Sequence, residues 1–282
     1  MRKIAVVVCL LSLAFAACGK NDNPSVDATA KATNITVTAS DSSGVYHFSH
    51  DASAVVDGLA NITIKNQGTE PHEAVLFKLG DGKTIDDAKA FFAGTAPPGP
   101  PPFNNGGGTT VVMPGKSATV TQSVPAGSYA FFCFVAGAKG PHFLNGMASP
   151  ITITGNSTTS LPLPDGENAT AKDYEYALPV LKAGTTVIRA TNLGPQDHEF
   201  QLARIADGKT AADAQAFFAA GNEAAPRPFV EQGGGVVGFG GPPNSFKVTL
   251  TKGTYVFYCG VPDQKDQKPH YAHGMFKVVT IT

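Results

Sequence analysis

The stretch HEAVLFKLGDGKTIDDAKAFF, residues 72–92, returns as HEFQLARIADGKTAADAQAFF at residues 198–218. The offset of 126 holds from Asn66/Asn192 through Lys83/Lys209 and Phe91/Phe217 and again at Cys133/Cys259; it becomes 128 at His142/His270 and Met147/Met275. Self-similarity at a fixed period marks a duplicated structural unit, here of roughly 115 residues, within the usual size of a domain. Copy one runs over 33–154 and copy two over 170–282. The Ser-, Thr-, Pro- and Gly-rich stretch Gly155–Ala169 between them reads as a linker.

Within each copy the patterning is that of strands. Asn34–Thr38 and Asn61–Lys65 alternate polar and apolar residues, and Ser117–Val124, Tyr129–Phe134 and Ile151–Thr154 continue the theme. Copy two offers Thr186–Ala190, Phe246–Thr251, Tyr255–Tyr258 and Lys277–Thr282. One helix interrupts each copy. Thr84-Ile85-Asp86-Asp87 and Thr210-Ala211-Ala212-Asp213 have capping-box form, and Ile85, Ala88 and Phe91/Phe92 then share a face. The glycine runs that follow, PPGPPPFNNGGG and APRPFVEQGGG, lack both the Gly-Lys-Ser/Thr signature and the strand–turn–helix context of a phosphate loop. They read instead as a tight backbone path between strands. The expected fold is all-β, an antiparallel sandwich per copy with one short inserted helix.

Composition removes several function classes. Of 282 residues 15% are charged, against roughly 25% in an average domain. The net charge of -1 leaves no basic face for nucleic acid, so no nucleic-acid partner is expected. Four cysteines are too few for a disulfide scaffold. The N-terminus, Met1-Arg2-Lys3 followed by an apolar run to Ala17, is an export signal too short to span a bilayer. Its end, Phe15-Ala16-Ala17-Cys18, resembles a bacterial lipobox with Phe15 in place of the usual Leu. On that reading residues 1–18 are the signal, Cys18 carries the lipid, and 19–32 form a polar tether. The protein would then be extracytoplasmic and attached to a membrane through its lipid. An ordinary signal cleaved after Ala14-Phe15-Ala16 is the alternative.

With Cys9 lost in the signal and Cys18 at the anchor, only Cys133 and Cys259 remain. Each is followed by a His (His142, His270), each of those by a Met five residues on (Met147, Met275), and each copy has an upstream His (His72, His198). A thiolate, two imidazoles and a thioether form the inventory of a type 1 copper site, with a His₂Cys plane and a long axial Met. Taken singly, each residue also has a structural reading: a small buried Cys at a strand end, a Met filling a core gap. A Cys133–Cys259 disulfide is a further alternative. His47 and His50 lie three apart on a strand and so face opposite ways, which argues against their being ligands. His273, where copy one has Asn145, reads as a loop residue near the site.

The chain here resembles the cupredoxin family, the plastocyanin- and azurin-like blue copper proteins. Asn66-Gln67-Gly68-Thr69-Glu70-Pro71-His72 and Asn192-Leu193-Gly194-Pro195-Gln196-Asp197-His198 are similar to the family's first-ligand segment. Gly127–Cys133 and Gly253–Cys259 resemble the strand that delivers the thiolate, and Pro141–Met147 and Pro269–Met275 the closing His-x4-Met. The resemblance covers nearly all of both copies. It implies two tandem Greek-key sandwiches, one copper per copy bound by His72, Cys133, His142 and Met147 and by His198, Cys259, His270 and Met275. It also implies that Asn66 and Asn192 tie the ligand loops together from behind the ligands.

One departure is the spacing from Cys to the second His: eight intervening residues in copy one and ten in copy two, against two to four in the family. The added loop-closure entropy is only about 0.6–1.2 kcal/mol, small beside the roughly 10 kcal/mol that metal binding can supply. Only geometry can therefore exclude a site.

The expected function is single-electron transfer through copper. Copper capture or delivery without electron transfer is an alternative, and a copper-free surface-binding module is another. The partner would be an unidentified redox or copper-trafficking protein. Because no His-x-His or His-Cys-His cluster is present to hold a catalytic copper, no enzymatic activity is expected.

Overall fold

The computed structural model describes residues 32–41, 44–51, 55–155, 161–221 and 225–282. The export signal, Cys18 and nearly all of the tether lie outside them. Copy one contributes β1 (Thr33–Ser40), β2 (His47–His50), β3 (Val55–Val56), β4 (Gly58–Asn66), β5 (His72–Leu79), α1 (Ile85–Phe92), β6 (Phe103–Val112), β7 (Ser117–Val124), β8 (Gly127–Phe132), the small hairpin β9 (Ala136–Gly137) and β10 (Gly140–Pro141), a 3₁₀ turn His142–Asn145, and β11 (Ala148–Thr154). Copy two contributes β12 (Glu167–Lys172), β13 (Glu175–Ala177), β14 (Gly184–Asn192), β15 (His198–Ile205), α2 (Ala211–Ala220), β16 (Phe229–Val237), β17 (Asn244–Leu250), β18 (Gly253–Tyr258), a 3₁₀ turn His270–His273, and β19 (Phe276–Ile281).

The strands form two large sheets that run through both copies. One has the order β13-β12-β14-β17-β7-β4-β1-β2, the other β19-β18-β15-β16-β6-β5-β8-β11-β3. The copies join where equivalent strands meet antiparallel: β6 against β16 (Thr109 opposite Gly235) and β7 against β17 (Thr121 opposite Ser245). The Gln201 side chain reinforces the seam, accepting from the Val111 N–H at 2.8 Å and donating to the Val111 carbonyl at 3.3 Å. Val236 packs in a copy-one cluster and Val120 in the copy-two core, so apolar contact crosses the junction both ways.

Alternation explains the first sheet. In β1, Ile35, Val37 and Ala39 are buried while the residues between them are not; β4 does the same with Ala60, Ile62 and Ile64. The central strand β5 differs, because both its faces are covered. His72, Ala74 and Leu76 belong to the inner layer, while Val75, Phe77 and Leu79 meet the helix layer. Each helix starts at the expected capping box, with the side chains of Thr84 and Asp87, or Thr210 and Asp213, bonded to each other's backbone. The helices bring aromatic side chains onto the sheet's outer face: Phe92 onto Phe77, Phe103, Phe132 and Phe143, and Phe218 onto Phe229, Tyr258 and Tyr271.

The glycine runs are not turns between strands but the middle of β6 and β16, at the seam. The backbone approaches so closely that a Cβ on Gly108 would strike the Ala74 carbonyl, and one on Gly234 that of Phe200. Both have positive φ, +100° and +159°, and register shifts occur in the pairings of β6 with β5 and of β16 with β15. The close backbone approach and positive φ require glycine at both positions.

Candidate metal centres

The chain brings three predicted ligands together at one end of each copy. His72 opens β5, Cys133 follows the last residue of β8, and His142 begins the 3₁₀ turn. Four backbone bonds fix that end. The His142 N–H donates to the Val135 carbonyl (2.9 Å), Phe143 to Cys133 (2.9 Å), Met147 to His142 (3.0 Å) and Cys133 to Met147 (3.1 Å). Copy two repeats the set: His270 to Val261 (2.9 Å), Tyr271 to Cys259 (2.9 Å), Met275 to His270 (3.0 Å) and Cys259 to Met275 (3.1 Å). These bonds explain why the long Cys-to-His loops do not carry the second His away. The chain leaves and returns beside the Cys, and the extra residues loop outward, as β9–β10 in copy one and as a turn closed by the Pro262–Pro269 bridge in copy two.

His72, Cys133, His142 and Met147 are all buried, as are their copy-two counterparts. In copy one the two Nδ1 atoms are 3.0 Å apart, and the Cys133 Sγ lies 3.8 Å from His72 Nδ1 and 3.5 Å from His142 Nδ1. In copy two the three separations are 3.2, 3.9 and 3.4 Å. In each triangle the point equidistant from the three atoms lies about 2.0 Å from each, the length of an ordinary metal–imidazole bond and a little short of a metal–thiolate bond. Met147 packs in the same cluster as Cys133, and Met275 in the same cluster as Cys259.

Carboxylates on the far side of the imidazoles decide how these triangles are charged. His72 Nε2 meets Asp41 at 3.1 Å, His142 Nε2 meets Glu70 at 3.0 Å, and His198 Nε2 meets Asp173 at 2.8 Å. A carboxylate only accepts, so each of these Nε2 atoms carries the proton and each Nδ1 presents a lone pair to the triangle. In copy one, where both tautomers are set in this way, two lone pairs 3.0 Å apart beside a thiol sulfur repel one another unless a cation lies between them. The residues therefore fit a metal, and the soft mixed set fits copper.

The titration behaviour follows from the same burial. Burial pushes the Cys133 and Cys259 thiols up, and the charges of Glu73 and Glu199 add to it. Burial lowers His72, His142 and His198, and takes His270 down to about 4. Burial would raise Asp41, but the N–H groups of Thr69 and Glu70, the Thr69 hydroxyl and His72 outweigh it and hold the carboxylate low.

Asn66 and Asn192 sit behind the first ligand but do not bridge the ligand loops. Asn66 Nδ2 donates to the carbonyls of Glu70 (2.8 Å) and Val112 (3.0 Å), and Asn192 to those of Gln196 (2.7 Å) and Val237 (3.0 Å). They brace the first-ligand loop against β6 and β16. The link to the Cys loop is made by the next residue after each first His: Glu73 accepts from the Phe134 N–H at 2.9 Å, and Glu199 from that of Gly260. The surrounding acids and tyrosines were invisible to sequence reading. Asp41 and Tyr46 sit in the β1–β2 connection, and Asp173 and Tyr174 in the shorter β12–β13 connection, where the 126 offset fails. His47 is exposed and His50 bonds the Pro150 carbonyl at 3.0 Å, so neither approaches a site. His273 pairs with Asp266 at 3.1 Å. Cys133 and Cys259 are free thiols, which removes the disulfide alternative.

The chain is mostly β and holds one buried His/Cys/His group in each copy. No family model and no curated protein matches it. Among solved structures it is similar to the auracyanin of the photosynthetic bacterium Roseiflexus castenholzii (22% identity, TM-score 0.29, 45% of this chain and 99% of that one). It is also similar to a multicopper oxidase (14% identity, TM-score 0.25, 88% of each chain) and to a copper nitrite reductase from Nitrosomonas europaea (13%, 0.26, 89% of this chain and 94% of that one). Enzymes stand among these neighbours, and the expectation of no enzymatic activity is withdrawn. The expectation rested on missing clusters in the linear sequence, whereas a catalytic constellation is assembled in space from residues distant in the chain.

Proposed function

We propose that the chain is a lipid-anchored, extracytoplasmic copper protein that passes single electrons through two type 1-like sites. The observation that carries this reading is the paired triangle of two Nδ1 atoms and one Sγ, matched between the copies to within a few tenths of an ångström. His72, Cys133, His142 and Met147 would hold one copper; His198, Cys259, His270 and Met275 would hold the other. Copper supplies a one-electron couple when bound. The protein's part is to keep the donors in place, and the backbone bonds linking Cys, His and Met in each copy do that. Burial of the donors excludes water from the triangle. The anchor rests on the lipobox resemblance at Cys18, and the export assignment on the N-terminal apolar run. The redox partner would dock at the site ends.

A second reading, copper capture and delivery, is favoured by one feature. The Cys-to-His loops are long, eight and ten residues, and a loop that opens can release the metal. Copper titration of the metal-free chain, followed by visible and paramagnetic resonance spectra, tests both. An intense blue band saturating at about two coppers per chain, reversibly bleached by a reductant, supports electron transfer. Tight binding without that band supports capture. No stoichiometric copper sinks both and leaves a sandwich that binds by its surface alone.

A further inference from the structure

The two sites are built alike around the first His and differently around the second. In copy one Glu70 reaches His142 Nε2 at 3.0 Å, and Tyr46 donates to its other oxygen at 2.9 Å while stacking on the imidazole. Room for this comes from Gly137, four residues after Cys133: a Cβ there would lie 2.7 Å from His142 Nε2 and 3.0 Å from Glu70. In copy two the residue aligned with Glu70 is Gln196, and the residue four after Cys259 is Asp263. The carboxylate has moved from one loop to the other. Asp263 Oδ2 takes hydrogen bonds from Tyr174 and from Gln196 Nε2 (2.8 Å), and stands 3.9 Å from His270 Nε2. His270 Nε2 is fully buried and has no hydrogen-bond partner among the described residues.

We infer that Glu70 and Asp263 are positioning residues that set the two metals apart, so that site one has the lower reduction potential and site two accepts an electron first. A carboxylate bonded to the outer N–H of an imidazole makes its inner nitrogen a stronger donor and favours the more highly charged metal. Glu70 does this for His142. Asp263 does not do it for His270, because its oxygen is directed at Tyr174 and Gln196. At the first ligand a carboxylate bond is present in both copies, 3.1 Å to Asp41 and 2.8 Å to Asp173, so the second ligand is where one copy has the bond and the other lacks it. Reduction adds one electron from an external one-electron donor and breaks no bond in the protein; the Nε2 protons stay where they are. The inference rests on both sites binding copper.

The test is a stepwise reductive titration of the two-copper chain with dithionite, monitoring the blue band, with Cys133→Ser and Cys259→Ser assigning each step. Two steps are expected, site two first, separated by at least tenfold in the Cu(I)/Cu(II) ratio, equivalent to 59 mV for one electron. The loop swap Glu70→Gln with Gly137→Asp should raise site one's potential towards that of site two. The converse swap, Gln196→Glu with Asp263→Gly, should lower site two's. Two coppers reducing together in the native chain, or site one reducing first, would overturn the inference while leaving copper binding intact. Failure to load copper at all would instead remove the functional reading beneath it. If a swapped chain does not load, the order of steps in the native chain still decides.

Discussion

Copies one and two diverge at the outer face of the second histidine, although their inner triangles match closely. The metal-facing geometry is dictated by backbone ladders. Those ladders tie residues close in sequence, so they survive any change in the outer loop. The outer face is set by whichever side chain from a loop happens to reach it. Glu70 and Gly137 in copy one, and Gln196 and Asp263 in copy two, are two solutions to placing one carboxylate near one imidazole. A donor set can thus be duplicated faithfully while the groups that tune it drift.

The two sites also stand apart in space. His72 lies opposite Val112, and Val112 opposite Gln232, whereas His198 lies opposite Val237. Crossing from one His to the other takes three strand spacings and about five residues along a strand, on the order of 20 Å. Neither site can lend a ligand to the other, so removing one should leave its twin intact. Cys133→Ser is expected to abolish the blue band of site one and leave half of the total copper; Cys259→Ser should do the same for site two. Loss of both sites on a single substitution, read by copper stoichiometry, would break the picture of two independent centres.

The helix layers offer a comparison of packing. Phe132 and Phe218 are both fully buried among aromatic rings, Phe132 on β8 and Phe218 on α2. Truncating either to Ala should cost about 3–5 kcal/mol of stability. Because the sheets and apolar clusters cross the seam, denaturant unfolding of either variant should remain a single transition for the whole chain. Two separated transitions would show that the seam holds the copies together more loosely than each holds itself.

Acid should weaken the metal-free chain. The folded pKa of His270 lies at about 4, below its ordinary value near 6.5, because burial disfavours its charge. Such a group contributes its stability above the unfolded value, and that stability is lost as pH falls from about 6.5 towards 4. The metal-free chain should therefore lose melting temperature across that window, and His270→Gln should flatten the loss. An unchanged slope in that variant would assign the acid sensitivity to His72, His142 and His198, which burial also lowers. Smallest of all, Thr84→Ala and Thr210→Ala should each destabilise by about 1 kcal/mol, since the two capping boxes have the same geometry. A clear inequality between them would show that one helix carries more of its copy's stability than the other.

Much of this molecule is legible as text, because the signals are local or periodic. The repeat is visible at a fixed offset. The outer strands of the first sheet alternate because one face is covered and the other is not. The capping boxes are four-residue words. The candidate ligands stand out because Cys, His and Met are rare here and fall in the same order twice. Strands β5 and β15 are harder to read: covered on both faces, they lose the two-residue period. β6 and β16 are hidden by their glycines, whose positive φ reads as a turn until the bulge is seen inside a sheet.

Residue type at short or repeating spacing is enough to read the duplication, the β class, the helix starts and the candidate donors. The folded chain is what shows that the copies share both sheets, and that the long loops still return the second histidine to the cysteine. It alone decided which carboxylate stands behind each imidazole. Asp41 is 31 residues from His72, and Glu70 is 72 from His142. No periodicity spans such distances; only the register of paired strands brings these groups within a hydrogen bond of one another.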